Sequence, residues 1–483
     1  MINFRISGAV AALSLVGFAA HAQVLLPVQS ATTPVLSNIK GGPWALAQGP
    51  ATTAYPYAGF CANGVQTASP GLEPMQPYYF PHIAALGNYL QGWFDYRPRN
   101  AQEAVVAAIS RDHGVTWQFQ QIAAALDTAC PSNTADGNNV NITNGNGSAV
   151  ANELFDNGQG HPFVMTVAGK KYLYTLDRSK TNIDVTGLIV HPLTSTLQPL
   201  NGVPAVESVG ANALIGSAAA EGVVPPVTPL TRTTGLINPD AILGVFPGQS
   251  LTTVLYVSKQ LGADTTILPT SQQCGATPSF AVSPGRAANH DYVTQRIAYT
   301  TDGINFSDLG SVSGLADPTT TSYHGIRYLG SGGVFPLANP DGSYNGRYGL
   351  LFGAGNCLDG DSDGFHFIGY AETVNSGDLM HWQVLNGVDN PIVSSGQITD
   401  PITSTVYPAN TPLADALDWP TLKASNFYYG RAYGATVAYA GPNSLTMVFA
   451  GYNTPQPKNN LGNYRSIGVT TVTLPSTTLV HPF

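Results

Sequence analysis

The chain has 483 residues with a formal net charge of −9, and only 10% of them are Asp, Glu, Lys or Arg, against about 25% in an average globular protein. The 43% of hydrophobic residues excludes a disordered chain, the low charge excludes a coiled coil, and the acidic balance without a basic run argues against a nucleic-acid binder. The 52 Gly and 36 Pro mark many turns, and together with 23 Tyr and 18 Phe they predict an all-β protein.

The first 22 residues have the pattern of a secretory signal peptide. Arg5 supplies a positive charge, an apolar run extends from about Ala9 to Ala20, and Ala20-His21-Ala22 is a small-x-small cleavage site. The run is too short for a transmembrane anchor, and no later segment holds 18 consecutive apolar residues. We therefore expect a secreted or periplasmic protein without a membrane span, and an N-terminal extension over residues 23–75.

Four cysteines in an exported chain predict two disulfide bonds. Three connectivities are possible, and we favour the pairing of sequence neighbours because it closes the smaller loops. The alternative is a thiol nucleophile or a metal site, and no Cys-x-x-Cys spacing supports it. The favoured pairs are Cys61–Cys130 and Cys274–Cys357.

Pairs of β-prone segments, each joined by a turn, recur five times along the chain. They are Tyr79–Ile83 with Tyr89–Asp95, His161–Met165 with Tyr172–Asp177, Asn238–Ile242 with Thr253–Val257, Tyr323–Ile326 with Tyr348–Phe352, and Arg431–Ala435 with Leu445–Phe449. Five units of four strands predict a five-bladed β-propeller over residues 76–483, whose last blade has Tyr464–Val469 as third strand and Val472–Leu474 as fourth. A six-bladed, sialidase-like ring would need another unit in the Pro/Gly/Ala-rich stretch near 200–229, which reads more simply as an insertion. Two β-sandwich domains are the other alternative.

Three stretches share a Ser/Thr-x-Asp turn followed by an aromatic residue, namely Ser110–Trp117, Thr300–Phe306 and Ser376–Trp382. In such a turn the Asp accepts backbone N–H bonds, glycine supplies a positive φ and the aromatic residue packs between sheets. The first copy is similar to the Asp-box of sialidase-type β-propellers, and the other two resemble turns of arabinanase- and β-xylosidase-type glycosidases. We therefore expect the three aspartates to be structural: Asp112, Asp302 and Asp378.

The opposite face of a propeller collects the starts of the first strands and the ends of the second strands, so a site is expected there. Hydrolysis of a glycosidic bond needs an acid and a base or nucleophile, and the candidate catalytic carboxylates are Asp95, Asp177 and Asp240. Candidate substrate-binding residues are His82, Arg97, His161, Arg178, His324, Arg431 and Tyr433. Arginines suit an acidic sugar, and the rings of Trp93, Tyr96 and Tyr433 offer stacking faces. The alternative is structural: hydrogen-bonded core histidines, and ion pairs that order loops.

The resemblance to propeller glycosidases implies a glycoside hydrolase acting on an extracellular poly- or oligosaccharide. Sialidases carry an Arg-Ile-Pro triplet whose arginine binds the substrate carboxylate, and here that triplet reads Tyr79-Phe80-Pro81. Arabinanase-like enzymes carry the general base in an Asp-Pro pair, and the matching places here read His161-Pro162 and Asn238-Pro239, with Asp240 one residue on. The alternatives are a non-catalytic propeller that binds a glycan or protein, and a polysaccharide lyase that uses His and Tyr side chains.

One further motif, Asp359-Gly-Asp361-Ser-Asp363-Gly364, places three hard oxygen ligands on a tight loop, as calcium loops do. The twelfth position holds Tyr370 instead of an acidic residue. The motif is therefore either a calcium site or a solvated acidic turn. The histidines His82, His161 and His324 are an alternative set of metal ligands, and no other cofactor is indicated.

Overall fold

A computed structural model describes residues 78–96, 104–124, 159–178, 186–197, 206–209, 231–237, 239–262, 290–316, 328–355, 367–387, 391–394, 398–399, 406–407, 431–452 and 465–483. Every regular element in these segments is a β-strand. They contain no helix of the length and apolarity that crossing a membrane requires. The predicted signal peptide, the N-terminal extension up to residue 75, all four cysteines and the Asp359–Asp363 motif lie outside the described residues.

The first two sheets come from the N-terminal part of the described chain. Their strands pair in sequence order, antiparallel except for the parallel pair β8 and β9. The first sheet contains β1 (Tyr78–Leu86), β2 (Tyr89–Tyr96), β3 (Ala104–Ser110) and β4 (Gln118–Ala124). The second contains β5 (Gln159–Val167), β6 (Lys170–Arg178), β7 (Thr186–Leu193), β8 (Val206–Val209) and β9 (Thr231–Thr234). The strand β8 lies inside the stretch interpreted as an insertion, and it pairs with β7 as the fourth strand of its sheet.

The remaining sheets follow the same plan, with the first strand of each sheet paired to the second. The third sheet contains β10 (Pro239–Val245), β11 (Thr252–Gly262), β12 (His290–Thr300) and β13 (Phe306–Ser311). The fourth contains β14 (Tyr328–Ala338), β15 (Tyr344–Gly355), β16 (Phe367–Thr373), β17 (Trp382–Asn386) and β18 (Val393–Ser394). After the short pair β19 (Ile398–Thr399) and β20 (Val406–Tyr407), the fifth contains β21 (Arg431–Gly441), β22 (Ser444–Tyr452) and β23 (Arg465–Thr473), and β24 (Leu479–Val480) ends the chain's strands.

The first strands of the five sheets pack against one another in a closed circle. β1 packs against β5 and β21, β10 packs against β5 and β14, and β14 packs against β21. The contacts therefore return to their start after five sheets, and the protein is a five-bladed β-propeller with the first strand of each blade innermost. The predicted fold is confirmed, and the alternatives of six blades and of two sandwich domains are wrong.

Each blade buries both faces of its sheet, as the consecutive residues Trp93 and Phe94 of β2 show. Side chains alternate between the faces of a strand, so the two rings point in opposite directions. Phe94 is buried in one hydrophobic cluster with Val448 of blade 5, whereas Trp93 is buried in another with Leu173 of blade 2. A sheet covered on both sides has little room for charge, which accounts for the low charge of the chain.

The Asp turns are built by their own side chains. In the first, the Thr116 amide donates to Asp112 Oδ1 at 2.8 Å, and the Gly114 amide donates to Ser110 Oγ at 2.7 Å. Partial burial would raise the pKa of Asp112, but the hydrogen bonds from Thr116 and Ser110 outweigh it and hold the pKa below its usual value. Asp302 and Asp378 likewise accept backbone N–H groups within their turns. The expected structural role of these aspartates is confirmed.

Two predicted elements of the later blades differ from the structure. The first strand of blade 4 is β14, whereas the predicted first strand Tyr323–Ile326 lies outside the described residues. A glycine of β14, Gly333, lies so close to blade 5 that a Cβ there would stand 3.0 Å from a Val437 methyl group. The predicted fourth strand Val472–Leu474 is also wrong, because β23 continues to Thr473 and Val472 pairs with Leu445.

The chain after β23 crosses to blade 4 instead of turning back. The Val480 amide donates to the Pro442 carbonyl of blade 5 at 2.7 Å, and β24 pairs with the end of β14. Leu474 and Val480 are buried in the cluster between blades 4 and 5, and this burial favours the crossing. The C-terminal segment therefore ties two blades together on the face of the Asp turns.

We predict that Val480→Asp lowers the free energy of unfolding by more than about 2 kcal/mol, because it buries an unpaired carboxylate at a position that is 2% exposed. Denaturant unfolding measures this loss. The matched control is Ser476→Asp, an exposed position in the same segment, which should change stability by less than about 0.5 kcal/mol. Equal effects of the two substitutions would show that the crossing segment does not hold the blades together.

Candidate functional site

The starts of the first strands and the ends of the second strands lie at one end of the ring, as expected from the sequence. Tyr79 of β1 pairs with Asp95 of β2, and Gln159 of β5 pairs with Asp177 of β6. The predicted catalytic carboxylates Asp95 and Asp177 therefore belong to the same end of neighbouring blades. Asp240 belongs to this end as well, because it is the second residue of the first strand β10.

Every first strand has an irregular register near its start. The shifts fall between Tyr79 and His82, Gly160 and Phe163, Pro239 and Ala241, Leu329 and Ser331, and Tyr433 and Thr436. A bulge bends its strand and redirects the side chains beside it. The five bulges therefore decide which residues meet at the axis.

Four residues from four blades come together at this end, and we call them the axial cluster: Phe80, His161, Asp240 and Tyr433. The ring centroids of Phe80 and His161 are 3.7 Å apart, and those of Phe80 and Tyr433 are 5.1 Å apart. His161 Nδ1 lies 2.8 Å from the Asp240 backbone carbonyl. The carbonyl only accepts, so Nδ1 carries the proton of this hydrogen bond. Three of the four residues are predicted site residues.

Blade 4 approaches the cluster through small residues. The Gly434 amide donates to Ser331 Oγ at 2.8 Å, which ties blade 5 to blade 4 beside Tyr433. A Cβ on Gly353 would stand 2.5 Å from that hydroxyl and 2.9 Å from the Tyr433 Cα, so only glycine fits there. The close approach packs Tyr433 into the protein core.

The two described carboxylates of this end are deeply buried: Asp95 is 0% exposed and Asp240 is 4% exposed. Tyr433 is 1% exposed and Trp93 is 0% exposed, so neighbouring groups cover the ring faces that the sequence analysis offered for stacking. Phe80, which the sequence analysis did not select, is half-buried. Its signal in the sequence is the proline that follows it, since His161 precedes a proline in the same way.

Other predicted site residues stand beyond what the structure describes. Arg97, His324 and Asn238 are outside the described residues. Only the backbone is described for Asp177 and Arg178 at the end of β6 and for Arg431 at the start of β21. The roles of these residues stay predictions. Within the described segments no three His, Cys, Asp or Glu side chains group as a metal site.

His82 lies one layer deeper, in the seam where β1 and β2 of blade 1 pack against β5 of blade 2. Its ring is 4.4 Å from that of Phe163 and 5.7 Å from that of Trp93, measured between centroids. Its imidazole also bonds the Val164 backbone, while Nε2 is buried and has no hydrogen-bond partner among the described residues. Burial lowers the pKa of His82 to about 3, and the bond to Val164 only partly opposes this shift. His82 is therefore neutral and joins the two blades.

A second histidine, which was not predicted from the sequence, is also buried beside this seam and also has a lowered pKa. His191 of β7 lies with Nε2 3.1 Å from Thr175 Oγ1, and it pairs across the sheet with Leu173, whose side chain belongs to the seam. Burial lowers the pKa of His191 to about 4. In the sequence, His191 is a single histidine within an apolar strand, and no pattern distinguishes it.

The searches against known proteins find structural likeness only. No family model matches the chain, and the search of curated proteins finds no match. Among solved structures, the chain is similar to a thermostable family-43 glycoside hydrolase, with 13% identity, a TM-score of 0.42 and coverage of 86% of this chain and 96% of that one. It is also similar to the GH43_1 enzyme from Xanthomonas citri complexed with xylotriose, with 10% identity, a TM-score of 0.42 and coverage of 88% and 95%. A third is an α-L-arabinofuranosidase from Podospora anserina in complex with cellotriose, with 10% identity, a TM-score of 0.43 and coverage of 94% and 98%.

We predict that acid weakens the fold through the two seam histidines. Their folded pKa values of about 3 and about 4 lie below the value near 6.5 of an unfolded chain, so unfolding takes up protons between about pH 4 and 6.5. The stability that the neutral rings contribute is complete above pH 6.5 and is lost as the pH falls through this range. Urea unfolding should show a slope of up to about 1.4 kcal/mol per pH unit for each histidine.

The matched variant is His82→Phe, which keeps a ring against Phe163 and removes the titrating group. Its slope between pH 4.5 and 6 should be smaller by about 1.4 kcal/mol per pH unit than that of the wild type. A variant with the wild-type slope would contradict the assignment to His82.

Proposed function

We propose that this protein is a secreted or periplasmic carbohydrate-active propeller that hydrolyses glycosidic bonds of an extracellular poly- or oligosaccharide. The observation that carries the proposal is the axial cluster, in which rings, an imidazole and a carboxylate-bearing residue from four blades meet at one end of the ring. Phe80 contacts both His161 and Tyr433, and His161 bonds to Asp240. Such convergence of polar and aromatic groups in a chain with little charge is typical of a binding or catalytic site.

The carboxylates of this end supply the chemistry that hydrolysis needs. One carboxylic acid protonates the leaving oxygen, and a second carboxylate activates water or attacks the anomeric carbon. Asp95, Asp177 and Asp240 are the candidates, and all three belong to the axial end of neighbouring blades 1, 2 and 3. Asp95 and Asp240 act as the pair in this proposal.

His161 has a separate task in the proposed site. Its Nδ1–H donates to the Asp240 carbonyl, so in the neutral ring Nε2 is the acceptor. The bond also fixes the orientation of the imidazole, whose centroid lies 3.7 Å from that of the Phe80 ring at a tilt of 47°. We place His161 in the sugar-binding site because it lies between Phe80 and the Asp240 carbonyl.

We predict that Asp95→Asn and Asp240→Asn each reduce release of reducing sugar by at least about 100-fold on the oligosaccharide that the wild type cleaves, because each removes a carboxyl from the proposed pair. The matched control is Asp112→Asn, which changes a carboxylate on the opposite face and should keep activity within about twofold. Thermal unfolding of every variant separates loss of chemistry from loss of fold. Activity retained in both site variants would refute the assignment.

A non-catalytic glycan-binding propeller is the second candidate, and the burial of the described carboxylates favours it. Asp95 and Asp240 have almost no accessible surface, whereas hydrolysis requires contact with the substrate. Calorimetric titration of the same oligosaccharides, next to the reducing-sugar assay, distinguishes the two: binding without cleavage supports the module. New unsaturated sugar ends would instead indicate a lyase, with His161 and Tyr433 as the His/Tyr pair.

The proposed location has its own test. Expression in a bacterial host with the full leader, followed by N-terminal sequencing of the exported protein, should give Gln23 as the first residue. Protein retained in the cytoplasm with Met1 would refute export and leave the assays of activity untouched.

A further inference from the structure

Two residues of the axial cluster have a backbone conformation that is unfavourable for every residue except glycine. Five non-glycine residues in the described segments have a positive φ, and three of them lie in turns: His113, Ala168 and Leu197. The other two are Phe80, with φ of 42°, and His161, with φ of 50°, and both lie within strands. Strained residues inside regular elements occur preferentially at functional sites.

The same bulge elsewhere in the ring uses glycine. In blade 5 the bulge after Tyr433 contains Gly434, with φ of 64°. Glycine adopts this conformation without steric cost. Blades 1 and 2 therefore carry a phenylalanine and a histidine where the backbone alone would favour glycine. The backbone conformation does not explain these residue types, so their side chains are the functional feature.

The two side chains differ in what they offer. His161 is 8% exposed and is engaged by the Asp240 carbonyl, whereas Phe80 is half-buried, with its ring tilted by 47° to the imidazole and by 71° to Tyr433. Phe80 is thus the aromatic ring of the axial cluster with the larger accessible surface. It carries no polar atom, so it can contribute contact area and shape without taking part in proton transfer.

We propose that Phe80 is a specificity-determining residue, on whose ring the apolar C–H face of a bound sugar packs. This inference rests on the proposed function and adds the residue that selects and orients the ligand. Stacking against an aromatic face buries apolar surface and aligns the sugar ring in the site. Because Phe80 only makes contact, its loss should weaken binding and leave the chemical step unchanged.

The test compares Phe80→Leu with Phe80→Tyr on xylotriose, cellotriose and arabinotriose. We expect Phe80→Leu to raise KM, or Kd if the protein only binds, by about tenfold, which corresponds to about 1.4 kcal/mol, with kcat within about twofold. Phe80→Tyr keeps the ring and should stay within about threefold of the wild type for both constants. The matched control is Phe163→Leu, which removes the ring beside His82 in the same seam and should change the melting temperature without changing KM.

A second measurement does not depend on the variants. Saturation-transfer NMR on the wild-type protein, with irradiation of its aromatic protons, should label the protons of one face of the sugar more strongly than those of the other. Two results would overturn this inference and leave the proposed function in place. One is equal labelling of both faces of the sugar, and the other is a folded Phe80→Leu protein with wild-type KM or Kd. A folded wild-type protein that neither binds nor cleaves any of the three sugars would overturn the proposed function, and this inference with it.

Discussion

The burial of both faces of every sheet is the constraint on which the rest of this structure depends. In β2, Trp93 is buried in a cluster shared with blade 2 and Phe94 in one shared with blade 5. Each blade therefore needs a neighbour on both sides to bury its apolar side chains. Five blades satisfy this requirement by closing on themselves, since β1 packs against both β5 and β21. The ring therefore explains why the chain contains few charges and many aromatic residues.

The same constraint makes polar groups inside the ring informative. Away from the axial end, the partly buried Asp308 and the buried Glu372 are each bound by an arginine and a tyrosine. Arg296 and Tyr256 bond Asp308, and the bonds from Arg296 and Tyr256 outweigh its burial and lower its pKa. Arg347 and Tyr370 bond Glu372 in the same way. These are structural networks, in which the favourable hydrogen bonds offset the desolvation of the charge.

The axial end is organised differently, because its contacts join blades instead of strands within one blade. Phe80 of blade 1 lies between His161 of blade 2 and Tyr433 of blade 5, and His161 reaches the backbone of blade 3. No single hairpin contains this arrangement. It forms where bulges interrupt the regular alternation of five inner strands, and the conformational strain at Phe80 and His161 is supported by the packing of the whole ring.

The sequence by itself determined the class of the fold, the number of blades, the structural role of Asp112, Asp302 and Asp378, and the end of the ring at which polar residues gather. These features depend on local sequence, because a stretch of a few residues specifies the periodicity of a strand and the chemistry of a turn. Only the tertiary structure decided which side chains meet. Blade 1 reads Phe80-Pro81-His82 and blade 2 reads His161-Pro162-Phe163, so equivalent bulges bring Phe80 to His161 at the axis and leave His82 deeper, against Phe163. Bulge position, the close approach of Gly333 to blade 5 and the crossing of Val480 to blade 4 all depend on neighbours that are distant in the chain, and no local pattern specifies them.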